Sequence, residues 1–141
     1  MRLLTIVTLL VLAVGAWADE TEHAVIEAAA RDYLDGWYAG DAERMTRALH
    51  PDLVKRVVRT LENGEPLLNS VSASNMIAYT RAGFGKGRAN PDVPTEVRIL
   101  DATPVIASVK TVSHEFIDYL HLAKIEDEWK IVNVLWEPVG E

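Results

Sequence analysis

The chain has 141 residues, with 14 Lys plus Arg against 21 Asp plus Glu, 49% hydrophobic residues and no cysteine. That length, without a repeat, is one domain with one core. Lack of cysteine excludes a disulfide scaffold, and a formal net charge of −7 without a basic stripe excludes nucleic acid as a partner.

Met1-Arg2 leads into the apolar stretch Leu3 to Val14 and the small residues ending in Ala16-Trp17-Ala18, the three parts of a secretory signal with cleavage expected after Ala18. A membrane anchor is the alternative reading. The stretch is shorter than the roughly 20 apolar residues that span a bilayer, however, and Asp19 and Glu20 follow at once. The expectation is a signal peptide over residues 1–18 and one domain over residues 19–141, periplasmic or secreted, with no stable membrane insertion after cleavage. Removing Arg2 leaves 13 basic against 21 acidic residues, a net charge of −8.

Thr21 to Tyr38 has helical period: Ile26, Ala30, Tyr33 and Trp37 share one stripe, while Glu27, Arg31 and Asp35 share another with alternating charge. Gly40 stops this helix, and Asp41 caps a second over Ala42 to Leu49 that Pro51 prevents from continuing. Leu53 to Thr60, the turn at Asn63-Gly64 and Leu67-Leu68 read as a hairpin. Ser72 then caps a third helix over Ala73 to Ala82, which Gly83 ends. The segment Gly83 to Pro94, GFGKGRANPDVP, reads as a mobile surface loop, able to serve as a lid. Its alternate glycines suggest a phosphate cradle, but they follow a helix C-terminus, whose dipole disfavours anions.

Four strands follow, Thr95 to Ala102, Val105 to Val112, His114 to Ile125 and Glu128 to Glu137. Their connections are too short for crossover helices, so the sheet is expected to be antiparallel and the class α+β. A two-residue turn at Glu126-Asp127 sets Ile125 opposite Glu128. Counting back, one face collects Asp118, Leu120, Leu122 and Lys124 with Trp129, Ile131, Asn133 and Leu135. The other collects Ile117, Tyr119, His121 and Ala123 with Lys130, Val132, Val134 and Trp136. The first reads as a pocket wall and the second as a subunit contact, since a bare apolar sheet face invites aggregation. A one-residue slip would exchange the two roles.

Three motifs, Arg31-Asp-Tyr-Leu-Asp-Gly-Trp-Tyr-Ala-Gly-Asp41, Ala48-Leu-His-Pro-Asp52 and Trp129-Lys-Ile-Val-Asn133, occur in this order. Together the chain resembles the nuclear transport factor 2-like (NTF2-like) superfamily, closest to its putative lumazine-binding, SnoaL-like branch. The resemblance implies a cone of three N-terminal helices packed on a curved antiparallel sheet, with a pocket at the open end and commonly a homodimer. It does not imply one chemistry. The superfamily includes ketosteroid isomerases, scytalone dehydratase, limonene epoxide hydrolase and polyketide cyclases beside members that only bind or assemble.

In the ketosteroid isomerases a Tyr eight residues before the Asp of an Ala-Gly-Asp corner donates to a developing oxyanion, and Tyr33 stands at that spacing from Asp41. On helical spacing alone Tyr33 is equally a core tyrosine. That chemistry also needs a carboxylate base. Counting from the corner puts its position at Val57, with Lys55 and Arg59 as neighbours of the same parity, so the isomerase activity is not carried over. Asp118 or His121 matches the second oxyanion donor of those enzymes.

A dehydratase needs a His and Asp pair on the substrate, and His50, His121 and Asp118 supply the types. The hairpin register separates His121 from Asp118, and His50 before Pro51 reads as a helix end at the surface. The four histidines show no paired short spacing, so no metal site is expected, and no cofactor is. Trp37 and Trp129 suit either a stacked flat ring or the core.

The sequence therefore reads as an exported homodimer binding a small apolar or aromatic molecule. The expected pocket is lined by Tyr33, Trp37, Asp118, Leu120 and Asn133 with His50 at its rim, and the expected dimer interface holds Tyr119, His121 and Trp136. No reaction is assigned. The alternative is a lyase or isomerase of the same superfamily acting on a small hydrophobic substrate by acid-base catalysis, with Tyr33 and Asp118 as catalytic candidates.

Overall fold

Helix α1 (Val14–Ala39) carries Ile26, Ala30 and Tyr33 into the core on one stripe, as the periodicity requires. It belongs to a computed structural model that describes residues 14–140, with side chains from residue 20 onward. The expected leader falls mainly outside the described residues, its last positions forming the start of α1.

Gly40, at φ 68°, takes the left-handed conformation that closes α1, and Asp41 caps α2 (Ala42–Ala48) by accepting from the Glu43 and Arg44 amides at 3.0 and 3.1 Å. Arg44 then ties the corner by pairing with Asp32 at 2.8 Å. The remaining elements are β1 (Leu49–Thr60), β2 (Pro66–Ser72), α3 (Ala73–Arg81), β3 (Glu96–Ala102), β4 (Ile106–Val112), β5 (Phe116–Ile125) and β6 (Glu128–Pro138). The fold is α+β, with three helices against one face of a six-stranded sheet of order β2-β1-β6-β5-β4-β3.

One pair departs from the antiparallel expectation: β1 runs parallel to β6. Short turns dictate direction only between strands adjacent in sequence, and β1 and β6 are separated by most of the chain. Leu49, expected to end the second helix, instead opens β1 opposite Ile131.

The β5–β6 turn is built by Glu126 and Asp127 at φ 50° and 64°, the left-handed pair of a tight hairpin, and Ile125 faces Glu128 as counted. The count holds to Leu122↔Ile131 and then fails. Val132 is an extra residue, so His121 faces Asn133, Leu120 faces Val134 and Asp118 faces Trp136. A bulge of one residue reverses the side chains beyond it. Val134 is accordingly fully buried at 0% exposure while Leu135 is exposed at 49%. Trp136 therefore moves to the inner face with Asp118, correcting the face expected for it, and Asn133 and Leu135 move to the outer face with Tyr119 and His121.

Candidate functional site

The inner face of β1 alternates Leu53, Lys55 and Val57, all buried, so a lysine stands where an aliphatic residue would ordinarily pack. Its ammonium is 2.7 Å from Asp118 Oδ1 on β5 and donates at 2.5 Å to Tyr33 Oη on α1. The Tyr33 hydroxyl in turn donates to Asp118 Oδ1 at 2.8 Å, and Thr111 Oγ1 on β4 donates to Oδ2 at 3.3 Å. Asp118 is only 2% exposed and Lys55 8%. Burial, reinforced by the neighbouring Asp118 charge, pushes the Tyr33 phenol well above its ordinary value of 10.0, so it remains an O–H donor.

The ammonium also lies against aromatic rings, 4.7 Å from the Trp136 centroid and 5.2 Å from that of Tyr33. Phe116 fixes Trp136 edge to face, with centroids 5.2 Å apart at 87°. In front of these groups opens a cavity of about 200 Å³, walled by Tyr33 and Trp37 from α1, Met76 and Tyr79 from α3, and Lys55, Asp118 and Trp136 from the sheet. The wall is almost wholly apolar, so the ion pair is its polar feature.

The segment after α3 is anchored to this wall. Phe84 stacks on Tyr79 with centroids 5.2 Å apart and planes 7° from parallel, and Arg88 pairs with Glu115. Gly85 packs on the edge of Trp37 so closely that a Cβ there would lie 2.4 Å from Nε1. Gly85→Ala should therefore displace segment or indole, with a loss of about 1–3 kcal/mol in urea unfolding and a shifted tryptophan emission. An unaltered midpoint and spectrum would show that the contact yields freely.

Of the residues expected at a pocket, Tyr33, Trp37 and Asp118 stand together on this wall. Leu120 lies behind it, wholly buried in the core. His50 is in β1 and uses Nδ1 to accept the Asp52 amide at 3.2 Å, away from the cavity lining. Asn133 is on the outer face, where its Oδ1 accepts from Arg56 at 2.8 Å and its Nδ2 lies 3.2 Å from His121 Nδ1. Tyr119 and His121 are exposed there. Val57, the position counted for a base, is a buried apolar residue. Lys55, two positions before Val57 and of the same parity, is the charged residue that β1 brings to the cavity, an ammonium in place of a carboxylate. Among the described residues no cluster of three or more His, Asp or Glu is placed to hold a metal ion.

This architecture is that of the NTF2-like proteins. A crystal structure of an NTF2-like protein of unknown function from Shewanella baltica OS155 matches at TM-score 0.66 and 17% identity, covering 86% of this chain and 97% of that one. One from Silicibacter pomeroyi DSS-3, also of unknown function, matches at TM-score 0.61 and 19% identity, covering 85% and 98%. A third, from Methylobacillus flagellatus KT, matches at TM-score 0.59 and 18% identity over 84% and 92%. The comparison with curated proteins gave no match. The sequence profile described as "Putative lumazine-binding" matches residues 21–137, and the chain belongs to that family.

Proposed function

We propose that this protein binds a small apolar or aromatic molecule in the cavity between α1, α3 and the sheet, and holds it without transforming it. The observation that carries this reading is the engagement of the carboxylate and the phenol by groups of the protein itself. Asp118 accepts from Lys55, Tyr33 and Thr111, and the Tyr33 proton is directed at Asp118 rather than into the cavity. A general base or acid needs an ionisable group within reach of the substrate proton, and here neither group is turned to that task. The apolar lining and the aromatic rings of Trp37, Tyr79 and Trp136 favour a flat ligand, in keeping with a family described as lumazine-binding.

Calorimetric titration with indane, a small two-ring hydrocarbon, tests this. Saturable binding should be seen and should be lost in Met76→Trp, which fills the cavity; binding unaffected by that substitution would place the hydrocarbon elsewhere and overturn the reading.

The same proposal includes export after removal of residues 1–18 and a homodimer formed through the outer sheet face. Val58, Ile117, Tyr119 and Leu135 line a shallow groove there, and Val58, Tyr119 and Leu135 are each more than 40% exposed, at 59%, 44% and 49%. Leu135→Glu should convert a sedimenting dimer to monomer, since the bulge at Val132 gives Leu135 the outward place expected for Trp136. An unchanged sedimentation coefficient counts against this face.

A further inference from the structure

We infer that Lys55 is the specificity-determining donor of the cavity, and that it selects a flat, uncharged molecule carrying one hydrogen-bond acceptor, a ring carbonyl or ring nitrogen. This rests on the binding reading above and narrows the ligand within it. An ammonium has three N–H donors. Two are taken, by Asp118 Oδ1 at 2.7 Å and Tyr33 Oη at 2.5 Å, and the third has no nitrogen or oxygen acceptor among the described residues. The Trp136 ring at 4.7 Å compensates only in part.

The oxygens of the site are better provided. Asp118 Oδ1 receives two donors, Oδ2 receives one and Tyr33 Oη receives the ammonium. An unmet buried donor is rarer and costlier than an acceptor with one lone pair unused. Trp37 Nε1 is also buried without a partner, but Gly85 covers that edge of the indole. The demand of the wall is thus for an acceptor, and Lys55 is where it is met.

Charge narrows the class further. Lys55 and Asp118 cancel at 2.7 Å, and the other cation at Trp136, Arg59 at 5.4 Å from the ring, is exposed and hydrated, so a carboxylate entering the cavity would be desolvated against a pair with no net positive charge. An entering ammonium would add a second cation beside the first, with both Asp118 oxygens already engaged. A neutral acceptor avoids both costs. The volume of about 200 Å³ suits one or two rings, since an apolar cavity of roughly 150 Å³ accepts benzene.

Four probes of one skeleton test the inference on the wild-type chain by calorimetry at about pH 8: indane, 1-indanone, indane-1-carboxylate and an N-methylated 1-aminoindane that stays cationic. The expected result is 1-indanone binding about tenfold or more tighter than each of the other three, the gain of one hydrogen bond to a charged donor. In Lys55→Met that advantage over indane should vanish; Lys55→Met/Asp118→Leu, which leaves no lone buried charge, gives the same reading if the single variant does not fold. Equal affinity for indane and 1-indanone, or tighter binding of the carboxylate or the cation, overturns the inference and leaves the binding reading standing. Failure of all four to bind overturns the binding reading, and this inference with it.

Discussion

Lys55→Met should destabilise the fold by about 3–5 kcal/mol, read as a lowered urea midpoint at unchanged slope. The substitution leaves Asp118, 2% exposed, as a buried carboxylate whose countercharge is gone and whose remaining donors are the Tyr33 and Thr111 hydroxyls. The double variant Lys55→Met/Asp118→Leu should recover most of that loss, because a buried ion pair exchanged for apolar side chains of similar volume is often neutral or stabilising. The two measurements separate the worth of the pair from the cost of breaking it. A loss below about 1 kcal/mol for the single variant would mean that the pair behaves as a hydrated surface pair. Full recovery in the double variant would mean that stability alone does not require an ammonium and a carboxylate in that wall, in keeping with the ligand-recognition role proposed for Lys55.

The sequence made the elements legible wherever a local rule governs. The stripe through Ile26, Ala30 and Tyr33, the stop at Gly40, the cap at Asp41 and the turn at Glu126-Asp127 are each set by residues within a few positions of one another. What stayed hidden is non-local. The extra residue Val132 sits in the run Ile131-Val132-Asn133-Val134, where three apolar residues leave the inward set ambiguous, and only the bend of the assembled sheet decides where the alternation skips. That one skip exchanged Asn133 and Trp136 between the faces. The parallel pairing of β1 with β6 is hidden for the same reason. Lys55 was legible by position and illegible by type. A lone inward lysine at a core parity makes sense only once Asp118 and Tyr33 are brought to it from β5 and α1, 63 and 22 positions away in sequence.

Above pH 10 the thermal midpoint should fall steeply, with Tyr33 and Tyr38 as causes. Burial and the Asp118 charge raise its phenol well above 10.0, and Tyr38 is raised to about 12, by burial first, with the Ser113 hydrogen bond opposing and Glu115 adding to the rise. A folded-state value above the unfolded one means that the native chain holds a proton the unfolded chain releases. The stability from that proton is therefore complete below about pH 10 and is lost as pH rises toward the folded-state value. For Tyr33 the slope is about 1.4 kcal/mol for each pH unit above 10. Tyr33→Phe should be less stable at pH 8, having lost the 2.8 Å hydrogen bond to Asp118, yet lose stability more slowly between pH 10 and 12. Thermal melts of the two proteins across that window decide the matter, and parallel curves would remove Tyr33 as a cause. A phenol that resists ionisation this strongly stays a donor to Asp118 past pH 10, and that hydrogen bond holds the carboxylate beside Lys55 on the cavity wall.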